Sequence, residues 1–463
     1  MHLRVPRPCW EVGITYDLII RDGTLVLPTG QTTGDVAVND GLIAEIGRDI
    51  AGNARSEIPA TDLHVLPGCI DVHVHLNEPG RADWEGVASG TQALAAGGVT
   101  TFCDMPLNAI PPTIDGASFD AKLTAFRDRA QVDYAFWGGL IFGKTNLEEL
   151  HECGVIGVKA FMASSNTSEF PRADDLTLLE GMEQCAKLGM IVAVHAENAE
   201  ITDRLSARAR TAGATSAAEF LASRPAIAEV EAITRAITLA QATSCSLHIV
   251  HVSTGDGIRL VSRAREGGVD VTCETCPQYL AFAAEDLEGL GVSAKCQPPL
   301  RSPTDQRALW EFLNEDPNAM IASDHSPAPA EMRLDGDFVN SWGGIAGAQT
   351  TLPTLLTRWP SGSIGSDGAT RAFASNPARR FGFGDRGQLR VGYRADIVIC
   401  DRRACRAFQP ERSRSRDKSS PFIGRTFDME VARTIVAGRT VWSDGAIVGR
   451  PAGRLVRPER LPC

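Results

Sequence analysis

The stretch Asp71-Val72-His73-Val74-His75-Leu76-Asn77-Glu78-Pro79-Gly80-Arg81 decides how this chain is read. It continues an apolar run, 64–70, that reads as a strand with a Pro67-Gly68 break. Residues i and i+2 of a strand point to the same face, so His73 and His75 project together, as two ligands of one metal would. Neutral imidazole is a common ligand of zinc and other borderline metals. A bare His-x-His is equally two alternating structural histidines. The rest of the chain breaks the tie, because further ligand-type residues recur at the ends of later candidate strands.

Outward from this stretch, residues 67–390 alternate. Apolar or β-branched runs at 99–105, 134–137, 155–161, 191–195, 246–251, 269–273 and 320–323 are separated by helical patterns such as 88–96, 176–188 and 228–242. With the His-x-His strand these make eight strands. Strand and helix in alternation argue for a parallel sheet, and eight units suit a closed (β/α)8 TIM barrel. A doubly wound open sheet is the alternative. No Gly-x-Gly-x-x-Gly follows a first strand, so nothing points to a dinucleotide site.

Both chain ends have a different texture. Segments 17–26 and 35–47 each read as strand, turn, strand, about Asp22-Gly23 and Asp40-Gly41. Asp-Gly between apolar runs is a strong hairpin signal. Segment 395–400 reads as one strand and 432–442 as two around a turn, with Asp444-Gly445 closing the unit. We therefore expect one small β-sandwich domain built from both ends, residues 1–66 and 391–463, with the barrel, 67–390, inserted between them. Two unrelated β-appendages are the alternative. The first fifteen or so residues lack a period and read as a tail, and 1–10 lack an apolar core of signal-peptide length.

The 463 residues are 43% hydrophobic and 22% charged, ordinary globular proportions with ample material for a large core. A formal net charge of −11 with no basic stripe argues against nucleic acid as a partner. The locally basic run 412–418 reads as a solvated loop. No apolar run approaches the ~18 residues of a membrane span. Twelve cysteines scattered over a chain of this length read as reduced thiols of a cytoplasmic protein. Cys273-Glu274-Thr275-Cys276 lacks the second pair of a zinc knuckle and reads as a strand end.

Chemistry in a barrel sits at the C-terminal ends of the strands. There the chain places His73 and His75 (strand 1), Lys159 (strand 4), His195 (strand 5), His251 (strand 6) and Asp324 (strand 8). His248 lies three residues before His251, on the opposite face, and His325 points away from Asp324; neither is counted as a ligand. His2, His64 and His151 fall outside the pattern. Lys159 is the odd member, since a protonated ammonium repels a metal. A deprotonated buried lysine can add carbon dioxide to give a carbamate, whose two oxygens could bridge two ions and supply charge that four imidazoles lack. Two metals ~3.5–4 Å apart can share and acidify a water, with Asp324 as ligand and proton acceptor.

These residues resemble the cyclic amidohydrolases, the group of dihydroorotases, hydantoinases and allantoinases. The resemblance covers about 16–455. It implies a barrel with a dinuclear, usually zinc, centre: His73, His75, Lys159 and Asp324 on the first metal, and carboxylated Lys159, His195 and His251 on the second. It also implies attack by a metal-bridging hydroxide on a small cyclic ureide, and a homotetramer. Dihydroorotases typically have His-x-His-x-Arg, the arginine gripping a substrate carboxylate; here that place is Asn77. Hydantoinases usually have a tyrosine five residues after the lysine; here it is Ser164. The motifs 73–81, 104–108, 274–277, 298–301, 323–327 and 342–345 are similar to those of allantoinases, while Gln278 and Gln297 depart from the family pattern. The expected activity is hydrolysis of allantoin to allantoate, with Asn77, Asn108 and Arg301 as substrate contacts. A hydantoinase or dihydropyrimidinase is the rival, and a dihydroorotase the more distant one.

Overall fold

The computed structural model describes residues 15–459. The tail at 1–10 and His2 lie outside the described residues.

The N-terminal part forms β1 (Thr15–Leu27), β2 (Gly30–Asn39), β3 (Leu42–Gly47), β4 (Asn53–Pro59) and β5 (His64–Pro67). The middle contributes β6 (Cys69–Val74), β7 (Val99–Asp104), β8 (Asp133–Phe136), β9 (Gly138–Gly139), β10 (Val158–Phe161), β11 (Ile191–His195), β12 (Ser246–Ile249), β13 (Val271–Thr275) and β14 (Met320–Ile321). The C-terminal part adds β15 (Ile397–Asp401), β16 (Glu430–Val436), β17 (Arg439–Ser443) and β18 (Ala446–Ile447).

The middle strands make a TIM barrel. β6, β7 and β8 pair in parallel, as do β9 through β14. β8 and β9 are one strand interrupted at Trp137: Ile156 N donates to Phe136 O at 3.0 Å and Gly138 N to Gly157 O at 2.9 Å. The ring closes where His75 N donates to His325 O at 2.8 Å, beside a parallel bridge between Val74 and His325. The intervening helices carry their own punctuation. In Asp175–Leu188, Asp174 caps the first turn by accepting from Thr177 N, and Gly189 ends the last with φ +66°. A side-chain acceptor at the start and a left-handed glycine at the end satisfy backbone groups the helix leaves unpaired.

Strands from both chain ends form one nine-stranded sheet, β5 pairing with β1 on one side and β15 on the other. The sheet folds over into a sandwich. Val36, Val38 and Ile43 from one flank share a core with Ile397, Ile399 and Ile435 from the other, and Ile43 N donates to Tyr393 O at 2.8 Å.

Three local readings need correction. The run 64–70 is two strands: β5 belongs to the terminal sheet and β6 opens the barrel. Gly68 is the junction, and a Cβ there would stand 2.2 Å from Thr100 Oγ1. Asp22-Gly23 is a bulge inside one long β1, not a hairpin turn. Asp35 across the sheet accepts from Asp22 N at 2.9 Å and pairs with Arg21 at 3.0 Å, so the left-handed Asp22 (φ 58°) kinks the strand without reversing it. The basic run 412–418 is docked rather than solvated. Ser413 and Ser415 are buried, Arg414 lies over Trp442, and Arg416 N donates to Glu85. The ten described cysteines are all free thiols. No described helix is long and apolar enough to cross a membrane.

Candidate metal centre

The C-terminal mouth of the barrel gathers ligand-type side chains from five strands. His73 Nε2 and His75 Nε2 lie 3.3 Å apart. Asp324 Oδ1 is 3.3 Å from the first and 3.4 Å from the second. Across the mouth, His195 Nδ1 and His251 Nε2 are 3.0 Å apart. Ligand atoms of His73, His251 and Asp324 all fall within 4.8 Å of one another. Lys159 reaches the same space from β10. It is fully buried, its Nζ has no hydrogen-bond partner, and it lies 5.1 Å from the centre of the Phe161 ring.

The donor set fits a cation. Three electron-rich atoms facing one another at about 3.3 Å repel unless a positive charge sits among them. Burial lowers the imidazoles of His73, His195 and His251 from their usual range, so they present as neutral ligands. Burial brings the Lys159 amine down to about 7, with Glu274 and Asp324 pulling weakly the other way. An uncharged amine is the form a carbamate requires.

The ligands are held from behind. Glu274 on β13 reaches His73 Nδ1 at 2.6 Å with one oxygen and His248 Nε2 at 3.1 Å with the other. His248 is fixed in turn by Thr272 Oγ1 at 2.8 Å. Glu197 meets His195 Nε2 at 2.9 Å and pairs with buried Arg224. Burial works against the Glu197 charge, but Arg224 and the His195 hydrogen bond outweigh it and hold the carboxyl at about 2. Asp71 accepts from Ser323 N at 3.0 Å and from His73 N at 3.3 Å, tying the first strand to the last. Fixing the far nitrogen of a metal-binding imidazole sets its tautomer and ring orientation. Glu274, Glu197 and Asp71 were not singled out from the sequence. The available signal was an acidic residue inside or just past an apolar strand, two residues from a ligand in the case of Glu197 and of Asp71.

His251, Asp324, Asn77 and Asn108 all have left-handed backbone, with φ 40°, 45°, 63° and 46°. Such conformations cost ~1 kcal/mol or more each outside glycine and cluster at functional sites. The pocket over the ligands is walled by Asn108, Phe161, Ser164, Asn166, Gln297 and Trp342, among others. Arg81 braces its rim: it donates to Asn108 O at 2.8 Å, pairs with Glu169 at 3.1 Å and covers Trp84, which meets Trp342 edge-on.

Two of the expected substrate contacts stand elsewhere. Arg301 does not line the pocket. Its guanidinium is spent on Ser253 Oγ at 3.0 Å, Arg224 O at 2.6 Å and Glu229 at 3.2 Å. The loop before it does reach the wall, through Cys296 and Gln297. Asn77 is buried behind the wall, and neither atom of its carboxamide is hydrogen-bonded. The tight turn after β6 draws it inward. His325 faces away from the ligands, toward Ala348 N and Glu85.

Residues 64–441 match the pattern of the amidohydrolase family. The chain belongs to the amidohydrolase family. This is a metal-dependent family, and the mouth of the barrel holds a matching His/His/Asp group. The amidohydrolase sequence is 51% identical to an allantoinase of Rubrobacter xylanophilus over 447 residues, 96% of this chain and 98% of that one. It is 43% identical to an allantoinase of Deinococcus radiodurans over 450 residues, 97% and 100% of the two chains. Among solved structures it is similar to the L-hydantoinase (dihydropyrimidinase) of Arthrobacter aurescens, with a TM-score of 0.91 at 33% identity, covering 96% of this chain and 100% of that one.

Proposed function

We propose that this amidohydrolase is an allantoinase, opening the hydantoin ring of allantoin to allantoate in purine breakdown. The observation that carries the reading is the converging ligand set at the barrel mouth of a chain 51% identical to an allantoinase over nearly its whole length.

His73, His75 and Asp324 would hold one divalent ion, His195 and His251 a second, and Lys159, as its carbamate, would be shared; zinc is the proposed metal. Bound there, such a pair polarises an amide carbonyl and acidifies water. The chain's own residues supply the rest. The Asp324 carboxylate, at the ligand cluster and still 8% exposed, takes up the proton released on attack and delivers it to the departing ring nitrogen. Glu274 and Glu197 keep the imidazoles of His73 and His195 aimed inward. Asn108 and the segment 342–344 wall the ring. A neutral ureide rich in amide donors and acceptors suits this lining of carboxamides, hydroxyls and backbone, in which no arginine is available for a carboxylate. Asn77, with an unmatched buried carboxamide, would reach the substrate only through a shift of its turn.

The likeness to a hydantoinase structure supports a second reading, hydrolysis of other five- or six-membered cyclic ureides. One assay separates them: zinc-supplied protein on allantoin, hydantoin, dihydrouracil and dihydroorotate. Allantoate forming by far the fastest is expected. Faster opening of hydantoin or dihydrouracil would overturn the substrate and keep the chemistry. Fewer than two metals per chain in active protein would sink the dinuclear centre. The proposal extends to a homotetramer, testable by light scattering, to a cytoplasmic location, and to domain limits at 390/391 and, moved from 66/67 by the extent of β5, at Gly68, testable by limited proteolysis.

A further inference from the structure

We propose that Asn166 and Gln297 are specificity-determining residues that read the exocyclic ureido group of allantoin. This rests on the substrate reading above and names the residues behind it.

The two side chains face each other across the pocket mouth from separate loops, and Asn166 Nδ2 donates to Gln297 Oε1 at 3.0 Å. That bond uses one donor and one acceptor. Asn166 Oδ1 and Gln297 Nε2 are left without a hydrogen bond among the described residues, so the pair presents a free acceptor beside a free donor. A ureido group, –NH–CO–NH2, carries the complementary set, N–H donors and one carbonyl acceptor. The ring of a substrate held at the ligand cluster would send its substituent outward through this mouth. Asn166 is exposed and Gln297 half-buried, so a solvent-bonded tail exchanges water partners for protein partners there.

Both loops are anchored, which makes the pair a fixed feature and not two mobile surface amides. Asn166 has left-handed backbone (φ 62°), with its N–H on Ser164 Oγ at 3.2 Å, and the next-door Ser165 hydroxyl is bonded to Phe170 O at 2.6 Å. Asparagine tolerates that conformation better than most residues. On the other side, Cys296 is buried and Pro298 O accepts from Tyr279 Oη at 2.8 Å. Lys295 O accepts from Gly344 N at 2.9 Å, locking this loop to the opposite pocket wall. Binding the tail therefore needs little new ordering, which is where a small polar contact gains discrimination.

The test compares allantoin with unsubstituted hydantoin, which has the ring and lacks the tail. Gln297→Leu and Asn166→Ala are measured for kcat/KM on allantoin and for hydantoin binding, as substrate or as competitive inhibitor. Each variant should lose about tenfold in kcat/KM for allantoin, the worth of one amide hydrogen bond left unmade, while hydantoin changes less than about twofold. Gln297→Asn, with a shorter amide, should fall between. Equal losses on both ligands, or no loss on allantoin, would overturn the assignment. Wild-type protein that opens hydantoin but not allantoin would instead defeat the substrate reading itself, before any variant is made.

Discussion

Removing the Glu274 carboxylate should loosen the first metal position without touching a ligand. Glu274 is fully buried and spans two imidazoles, 2.6 Å from His73 Nδ1 and 3.1 Å from His248 Nε2. In Glu274→Ala both ring nitrogens face a cavity with no partner. Each unmatched buried group costs ~1–3 kcal/mol, less whatever an entering water returns. His73 is also freed to rotate and to take the wrong tautomer. Loss of such support weakens metal binding about 10–100-fold, equal to ~1.4–2.8 kcal/mol. Glu274→Gln keeps the volume and one hydrogen bond to each imidazole but loses the anion, and should lie between alanine and wild type. Zinc affinity is measured by chelator competition, alongside the melting temperature of metal-stripped protein. If Glu274→Ala bound zinc as tightly as wild type and melted at the same temperature when stripped, the support argument would be wrong.

Lys159 gives a pH-dependent prediction. Burial lowers its amine to about 7, so the neutral form that can add carbon dioxide dominates above that pH and shrinks tenfold per unit below it. Recovery of stripped protein in zinc and bicarbonate should accelerate from about pH 5.5 to 7 and then level off; a flat profile, or recovery indifferent to bicarbonate, would argue against the carbamate. Lys159→Ala should lose both metal and activity. Asp324→Asn should lower kcat by about 10²–10⁴ with a much smaller effect on KM, and a kcat within tenfold of wild type would remove Asp324 from the proton path. Gly344→Ala places a Cβ 2.0 Å from Ser326 O at φ +159°. It should cost ~1–3 kcal/mol, read from the urea midpoint, and an unchanged midpoint would show that this wall segment gives way freely.

Much of the barrel, and of the candidate ligands gathered at its mouth, was legible because both are written in local patterns. The eight strands were visible as apolar runs between helical periods, although their ends moved by up to two or three residues. His195 closes β11 as read, whereas β12 stops at Ile249 and leaves His251 in a left-handed turn just beyond it. The misreadings share a cause. Asp22-Gly23 has the composition of a turn, but a turn and a bulge differ only in what lies across the sheet, and Asp35 lies there. Arg301 has the charge of a substrate clamp, but Glu229, Ser253 and the Arg224 carbonyl, 48 to 77 residues away in sequence, absorb its donors. Glu274 and Glu197 drew no role from the sequence because their histidine partners come from other strands or bend back locally.

The sequence by itself determined the class of the fold and which ligand-type side chains would stand at the barrel mouth. Periodicity is a property of consecutive residues, and an imidazole, an amine or a carboxylate brings its chemistry wherever it is placed. Only the tertiary structure decided which groups are free to use that chemistry. Whether a buried donor is spent or available depends on partners many tens of residues away, as Arg301 and Lys159 show in opposite senses. The first is tied on every side, and the second has no hydrogen-bond partner at its Nζ, in the space where the ligands meet.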